Sequence, residues 1–240
     1  MKTWKTKNGY EITAILGSAA NAYLVSSENG NLLVDTGRKS AFHRLQRNIS
    51  TLNPDLKSIH FLILTHSHYD HCQNAHEIQK RAGCRVIMSA HEAEFARSGL
   101  SPLPDGTNPF TRIISFLGKK CAQKVFKFSP FIPVILVEDD LDLKSYGFNI
   151  RIIHTIGHSK GSISVLIDDE IAIVGNAMFG VFKNSIFPPF ADDIPEMINS
   201  WGKLLKTDCQ IFLPGHGKVI SRELVQNEFE RFSRKQPLQK

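Results

Sequence analysis

The feature that most constrains the fold is a short apolar run that ends in a cluster of histidines. Residues 59–65 are nearly all apolar, and the sequence His66-Ser67-His68-Tyr69-Asp70-His71 follows at once. An apolar run of this length predicts a β-strand that is buried on both faces. Such a strand needs cover on each side, which favours a sheet-based protein with helices outside.

The rest of the chain alternates short β-rich runs with helical stretches, which predicts an α/β fold. The predicted strands are 11–16, 22–26, 32–35, 59–65, 85–88, 134–138, 148–154, 163–167, 171–174 and 210–213. The predicted helices are 40–49, 70–82, 109–127, 194–206 and 221–232. Gly83 is expected to close the second of these helices.

The length of 240 residues suits one domain, 1–240, with an inserted segment at about 95–133. That segment opens as a loop rich in Gly, Ser and Pro at 98–106 and continues as the predicted helix 109–127. The segment interrupts the alternation of β-rich runs and helical stretches that the two flanking halves share. We expect it either to lie over another part of the fold or to form a contact between two copies in a homodimer.

Composition excludes several classes of protein. Apolar residues make up 42% of the chain and charged residues 22%, which are globular values and exclude a disordered, collagenous or heptad-dominated chain. No apolar run reaches the roughly 18 residues of a spanning helix, so no membrane partner is expected. The basic start, 1–8, lacks the apolar stretch of a signal peptide. Four cysteines without a CxxC pair indicate free thiols, and together these features predict a cytoplasmic protein.

The formal net charge is +6, from 29 Lys and Arg against 23 Asp and Glu. A basic chain can bind nucleic acid or anionic substrates. Here the cations are dispersed. The densest groups are Lys119, Lys120, Lys124 and Lys127, and the C-terminal stretch 231–240. We interpret both as solvated surface, and we do not expect a nucleic-acid partner.

The cluster after the apolar run has the composition of a metal site. In an extended loop, side chains two residues apart point to the same side, so His66 and His68 can converge on one ion. Asp70 and His71 open the following helix and can face a second ion. Imidazole nitrogen with a carboxylate oxygen suits Zn²⁺, or Fe or Mn at higher coordination. The alternative is a helix N-terminus capped by Asp70 with surface histidines nearby.

Two further histidines lie in glycine-flanked loops that follow predicted strands. His158 follows Gly157 after the strand 148–154, and His216 lies between Gly215 and Gly217 after the strand 210–213. Loops at strand ends are the usual position of a site built above a sheet. Each histidine alone is a weak signal, but with the cluster at 66–71 they indicate one metal centre.

These motifs together resemble those of the metallo-β-lactamase superfamily of metal-dependent hydrolases. The motifs that carry the resemblance are His66-x-His68-x-Asp70-His71, Gly157-His158 and Pro214-Gly215-His216-Gly217, with support from 21–25, 33–37 and 194–205. The resemblance covers nearly the whole chain apart from about 95–133, and it is greatest to the glyoxalase II-like and lactonase-like branch. It implies an αββα four-layer sandwich with the metal site at one edge of the two sheets.

The resemblance also implies a ligand set. One metal would be held by His66, His68 and His158, and a second by Asp70, His71 and His216. A bridging aspartate is expected after the strand 171–174, but this chain has Asn176 there. Replacing a shared carboxylate by a neutral amide weakens the second position by several kcal/mol. We therefore expect either one ion or two ions of unequal affinity, with Zn first and Fe or Mn as the other metals.

The resemblance implies hydrolysis by a metal-bound hydroxide, because such a metal lowers the pKa of its water toward 7. Asp70 would orient the hydroxide or accept its proton, and Asn176 or the second metal would stabilise the oxyanion. Cys72 follows His71 but is interpreted as a core residue.

The segment 179–190 is expected to shape the substrate pocket. It carries four phenylalanines and two prolines, which form either an apolar pocket wall or a packing contact with the insertion, and Lys183 could anchor an anion. These features predict a small ester, lactone or thioester with an apolar part. Phe179 stands where lactonase-type relatives often carry a tyrosine, which weakens the lactonase interpretation without excluding it. The resemblance to glyoxalase II-type enzymes implies a longer C-terminal helical region that binds glutathione, and only 24 residues follow His216, which disfavours a glutathione thioester.

Two other functions stay open. The change to Asn176 would also suit a binding or regulatory protein that has kept the fold and lost turnover. The basic charge would suit a phosphodiesterase or nuclease, whose binding to nucleic acid would weaken steeply with salt.

Overall fold

The computed structural model describes residues 1–17, 19–52, 55–121 and 126–234. Two mixed β-sheets pack face to face, and helices cover the outer face of each sheet. The predicted αββα four-layer sandwich is confirmed.

The first sheet has seven strands in the order β1-β2-β3-β4-β5-β6-β7. They are β1 (Lys2–Lys5), β2 (Glu11–Leu16), β3 (Ala22–Ser27), β4 (Gly30–Val34), β5 (Ile59–Ile63), β6 (Arg85–Ser89) and β7 (Ile135–Val137). The pairs from β1 to β4 are antiparallel, and those from β4 to β7 are parallel. The parallel half contains β5, which carries the histidine cluster at its C-terminal end.

The second sheet has six strands in the order β13-β12-β11-β10-β9-β8. They are β8 (Leu141–Asp142), β9 (Ile150–His154), β10 (Ile163–Ile167), β11 (Ile171–Gly175), β12 (Ile211–Pro214) and β13 (Ile220–Ser221). Only the pair β11 and β12 is parallel. Consequently β11 and β12 end at the same edge, and the loops after them lie side by side.

Side-chain alternation explains why β5 is apolar except at the exposed His60. Phe61 and Ile63 point into the core between the sheets, whereas Leu62 points to the helices outside. Other members of the core between the sheets are Ile12, Val25, Ile150, Val165, Ile173 and Leu213. Both faces of the strand exclude water, so an apolar residue is favoured at nearly every position.

The helices are α1 (Phe42–Leu52), α2 (Tyr69–Cys72), α3 (Ala75–Ala82), α4 (Ala93–Ser98), α5 (Pro109–Cys121), α6 (Ile194–Leu205) and α7 (Arg222–Ser233). Helices α1 and α3 cover the first sheet, and α6 and α7 cover the second. Helix α6 shows the sequence signals of a helix start, since the Asp193 carboxylate accepts a hydrogen bond from the Glu196 amide and Pro195 stands in the first turn. Gly83 ends α3 in the left-handed conformation, as predicted.

The predicted helix 70–82 is two helices, α2 and α3, and this prediction was wrong in one detail. The break falls at Asn74, whose side-chain amide donates to the carbonyl oxygens of Thr36 and Arg38, each at 2.8 Å. The loop after β4 therefore binds the Asn74 side chain, and the helix is interrupted there. Such a contact between segments remote in sequence leaves no trace in local periodicity.

The predicted helix 109–127 is α5, which is shorter. Residues 122–125, and with them Lys124, lie outside the described residues, and Phe126 and Lys127 are not helical. Lys127 instead pairs with Leu100 in an isolated β-bridge. Of the basic stretch 231–240, residues 235–240 also lie outside the described part.

Strands β1, β8 and β13 and helix α4 are additional to the predicted elements. They have two to six residues each, which is too short for a periodic pattern to stand out. Among the described residues, no helix has the length and apolar character needed to cross a membrane.

Cys72, Cys84 and Cys209 are free, buried thiols. Burial raises the pKa of Cys84 and of Cys209 to about 11. The side chain of Cys121 lies outside the described part.

Candidate metal centre

All seven predicted site residues meet at one edge of the sandwich. Four segments carry them, and these follow the C-terminal ends of β5, β9, β11 and β12; the first segment is a loop that continues into α2, where Asp70 and His71 lie. The first segment belongs to one sheet and the other three to the second sheet. The donor atoms form two groups, in each of which every donor lies within 4.8 Å of the others. We call them the three-histidine cluster (His66, His68 and His158) and the mixed cluster (Asp70, His71 and His216).

The residues of the three-histidine cluster are buried. Nε2 of His158 lies 2.9 Å from Nδ1 of His68, and the ring of His66 lies 4.5 Å from the ring of His68 and 4.9 Å from that of His158. Burial, then the neighbouring imidazoles, hold the pKa values of His66 and His68 well below the usual range. Burial also lowers the pKa of His158 to about 3. All three rings are therefore neutral at pH 7, the form in which histidine binds metals.

The mixed cluster adds a carboxylate to two imidazoles. Nε2 of His216 lies 3.3 Å from Nε2 of His71 and 3.4 Å from Oδ2 of Asp70. Burial opposes ionisation of Asp70, but His71 and His216 outweigh it and lower the pKa of that carboxyl. Burial lowers the pKa of His216 to about 4. For His71, Asp35 and Asp70 outweigh burial and raise the pKa.

The partners of the Nδ1 atoms decide which nitrogen each ring presents to the site. Nδ1 of His71 lies 2.8 Å from the Asp35 carboxylate, and Nδ1 of His158 lies 2.8 Å from the carbonyl oxygen of Phe190. Nδ1 of His66 lies 3.0 Å from Oγ1 of Thr65, whose hydroxyl donates to Asp35. We assign the ring proton to Nδ1 in each case, because the partner accepts it. The Nε2 lone pairs then point into the site.

This arrangement fits a divalent metal. Nε2 of His158 faces Nδ1 of His68, and Nε2 of His71 faces Nε2 of His216, so in each pair a metal cation can take the place of a single shared proton. Nε2 of His66 and Oδ1 of Asn176 are buried without any hydrogen-bond partner. Unpartnered buried polar atoms are rare in folded proteins unless a ligand satisfies them. Nitrogen donors with one carboxylate suit Zn²⁺ or Fe²⁺ better than Mg²⁺ or Ca²⁺.

Asn176 lies between the two clusters. Its Nδ2 is 3.2 Å from Nε2 of His158, while a Cβ added to Gly215, beside the mixed cluster, would stand 2.3 Å from its Oδ1. The same Cβ would stand 2.7 Å from the His71 ring, so only glycine fits at 215. The side chain therefore occupies the position at which a bridging group would reach both clusters.

Two buried carboxylates that the sequence did not identify as functional hold the clusters in place. Asp35 binds His71 directly and reaches His66 through Thr65. Its backbone φ of +59° is unusual for a residue other than glycine. In the sequence, the available signal was its position in the segment 33–37. Carboxylate partners of ligating histidines fix the ring and its tautomer.

Glu92 also holds histidine-bearing loops in place, and one of its partners, Ser159, lies 67 positions away in the sequence. Its Oε2 accepts from the backbone and hydroxyl of Ser67, between the first two histidines, and its Oε1 accepts from the Ser159 hydroxyl at 2.7 Å and the Gly161 amide at 3.2 Å. One carboxylate thus ties the loop of His66 and His68 to the loop of His158. Nothing in the local sequence around Glu92 indicates this role.

A cavity of about 420 Å³ opens onto both clusters. Its apolar wall consists of Pro102, Leu103, Pro104, Ile114, Phe126, Phe179, Pro188, Pro189 and Phe190. Arg38 and Tyr69 line it on the polar side, with the guanidinium 5.4 Å from the phenol ring. Residues between 102 and 126, which belong to the predicted insertion, thus supply much of the wall.

The segment 179–190 was expected to form either a pocket wall or a packing contact. It does both, through different residues. Phe179 and Phe190 line the cavity, whereas the ring of Phe187 packs 4.7 Å from that of Phe232 in α7. The segment also bonds to the insertion, because the Thr107 amide donates to the carbonyl oxygen of Pro189. Lys183 is exposed and does not line the cavity. Among the described residues, the cation that lines the cavity is Arg38.

The chain matches a known protein family and several known proteins. The family model of the metallo-beta-lactamase superfamily matches residues 16–216. A probable metallo-hydrolase of Methanocaldococcus jannaschii, MJ0888, is 27% identical over 90% of this chain and 93% of its own. Hydroxyacylglutathione hydrolase GloC of Haemophilus influenzae is 28% identical over 91% of this chain and 96% of its own.

A solved structure shows the same fold. MEM-A1, a subclass B3 metallo-β-lactamase isolated from a soil metagenome library, superposes with a TM-score of 0.68 at 18% identity, over 98% of this chain and 94% of its own. The family match covers most of the chain, and the donor residues stand in the pattern that the motifs imply. The chain therefore belongs to the metallo-β-lactamase superfamily, as a hydrolase with two His-rich metal-binding clusters.

Proposed function

We propose that the protein hydrolyses a small ester, lactone or thioester that carries an apolar part, with a thioester as the first candidate. The observation that carries the proposal is the cavity, whose apolar wall leads directly to the two clusters. Pockets of a few hundred Å³ with an apolar lining and a few convergent polar groups are typical of small-molecule sites. The size suits one acyl group with its leaving group.

The similarity to a hydroxyacylglutathione hydrolase supports the thioester. The expectation that a glutathione thioester needs a longer C-terminal region does not hold for that relative, because this chain spans 96% of its length. Length therefore no longer argues against this substrate class.

The proposed roles follow from the contacts of each residue. His66, His68 and His158 would hold one ion, and Asp70, His71 and His216 a second, which is zinc in the first instance. A divalent metal bound there supplies a Lewis acid that acidifies water and polarises a carbonyl oxygen.

Asp70 acts as the proton acceptor. Because its pKa is lowered, its carboxylate stays ionised at neutral pH and can orient a water molecule beside the substrate carbonyl. Asn176 offers an amide N–H to the carbonyl oxygen as negative charge develops there. Arg38 offers a guanidinium to an anionic group on the leaving part of the substrate.

The test is a hydrolysis panel on the zinc-reconstituted chain. It comprises p-nitrophenyl esters of increasing acyl length, S-lactoylglutathione, N-acyl homoserine lactones and bis(p-nitrophenyl) phosphate. We expect turnover of thioesters or esters that rises with acyl length until the cavity is filled. Leu103→Ala should shift the preferred acyl length, whereas Leu52→Ala, on the outer helix α1, should leave it unchanged. Full metal content without turnover would favour the binding or regulatory protein, and turnover of the phosphate diester alone would favour a phosphodiesterase.

A further inference from the structure

Helix α5, in the inserted segment, turns its apolar side away from the protein. Phe110 is 71% exposed, Ile113 60% and Leu117 54%, whereas Thr111 and Ser115 are buried. A helix that packs on a globular core shows the opposite pattern. We define the α5 face by its exposed apolar residues Phe110, Ile113, Ile114, Phe116 and Leu117.

The contacts of the buried side fix this orientation. The Ser115 hydroxyl donates to the carbonyl oxygen of Pro104 at 2.7 Å, and Nε of Arg112 donates to the carbonyl oxygen of Gly106 at 3.3 Å. Gly106 packs so closely that an added Cβ would stand 2.1 Å from the Arg112 nitrogen. The helix is therefore held with its polar side inward, and its apolar stripe has no protein to cover it among the described residues.

The segment that carries the stripe has charges of one sign, although Asp105, Asp192 and Asp193 from neighbouring segments lie on its Phe116 and Lys119 side. The segment 107–134 contains five Lys or Arg and no Asp or Glu. On α5 itself, Arg112 and Lys120 are exposed, and the Lys120 ammonium lies 4.5 Å from the Phe116 ring, while Lys119 pairs with Asp105 at 2.6 Å. An apolar stripe flanked by cations is typical of helices that lie in a membrane interface.

The α5 face is continuous with the cavity. Ile114 belongs to both, since it is exposed and also lines the cavity wall. On another side of the cavity, the exposed ring of Phe182 lies 6.1 Å from Phe179, which lines the wall. An apolar path thus runs from the outside of the helix to the clusters.

We propose that the α5 face docks on an anionic lipid membrane surface and presents the cavity to it. The sequence led us to expect no membrane partner because no segment can span a bilayer, but docking in the interface needs no spanning helix. A second copy of the chain is the competing occupant. A twofold contact would bring the exposed cations of α5, Arg112 and Lys120, close to their own copies, which favours the lipid. The inference goes beyond the proposed hydrolysis and does not depend on it.

The test is flotation of the full chain with vesicles of phosphatidylcholine, with and without phosphatidylglycerol. We expect at least about tenfold tighter binding to the anionic vesicles, weakened by high salt. Ile113→Asp should reduce that binding by about tenfold or more. The matched control is Leu52→Asp, which changes a residue that is 45% exposed on α1 and should leave vesicle binding unchanged.

Three results would overturn the proposal. One is no binding to anionic vesicles by a chain whose circular dichroism melt shows that it is folded. Another is equal binding to the two vesicle types without salt dependence. The third is a dimer in analytical ultracentrifugation that Ile113→Asp dissociates, together with no vesicle binding, which would assign the α5 face to a second copy.

Discussion

The three-histidine cluster and the mixed cluster lie side by side but differ in charge and burial. The first consists of three buried, neutral imidazoles, whereas the second carries the Asp70 carboxylate and the partly exposed His216. A different buried carboxylate supports each cluster through hydrogen bonds: Glu92 supports the first and Asp35 the second. A metal in the first cluster depends on three nitrogen donors alone.

The mixed cluster depends more on the residue between the clusters. Asp70, His71 and His216 provide three donors, but the position that would share a negative charge between two ions is the neutral amide of Asn176. Losing that charge leaves the first cluster with a complete set of donors and removes electrostatic support from the second. We therefore expect the two clusters to bind metal with unequal affinity.

The largest expected effect comes from His158→Ala. This change removes one donor of the three-histidine cluster and the ring that contacts Asn176. Metal should be lost from that cluster, and hydrolysis should fall by about three orders of magnitude or more. Elemental analysis and the substrate panel measure both quantities. His154→Ala, at the end of β9 and outside both clusters, is the matched control. Hydrolysis that survives in His158→Ala without metal in the first cluster would show that the catalytic ion is elsewhere.

The second-largest effect is expected from Asn176→Asp, which tests directly whether the neutral amide makes the two clusters unequal in metal affinity. A full negative charge about 4 Å from a cation contributes about 4 kcal/mol at an effective dielectric of about 20, part of which desolvation of the carboxylate offsets. We expect the affinity of the mixed cluster to rise at least about tenfold. Elemental analysis after zinc or manganese reconstitution should find one metal per parent chain and two per variant. Two metals in both proteins would mean that the amide is an adequate ligand and that the clusters are equivalent.

A smaller, selective effect is expected at the two supporting carboxylates. Glu92→Gln replaces an acceptor of four hydrogen bonds by an amide that cannot accept them all, so the three-histidine cluster should lose about 10- to 100-fold in affinity. Asp35→Asn should weaken the mixed cluster more than the first, because it contacts His71 directly and His66 only through Thr65.

Competition with a chromophoric chelator measures each affinity, and thermal melts of the metal-free variants show whether they remain folded. Equal losses at both clusters in either variant would contradict separate support of the clusters.

The smallest effect is expected from Cys72→Ala. The thiol lies next to His71 in the sequence, but it is buried and its Sγ contacts the backbone oxygens of Ser67 and His68. The change should lower the free energy of unfolding by on the order of 1 kcal/mol and leave the metal content unchanged. Chemical denaturation and elemental analysis measure the two quantities. A loss of metal from one cluster would show that the thiol belongs to the site.

The ligand residues could be predicted from the sequence because of where they stand relative to strands. A buried apolar strand followed by His66, His68, Asp70 and His71 is a local pattern, and so is a glycine-flanked histidine after a strand. The long strands were likewise predicted within one or two residues. The break at Asn74 was not, because the loop after β4, which is remote in sequence, decides it.

The sequence by itself determined the layered fold, the family and the candidate donor residues, because each depends on periodicity or on short motifs. Only the tertiary structure decided that Asp35 and Glu92 support different clusters, that Arg38 rather than Lys183 lines the cavity, and that α5 turns its apolar side outward. These properties depend on which surfaces meet in space. Residues such as Glu92 and Ser159 lie 67 positions apart, and no local pattern records their contact.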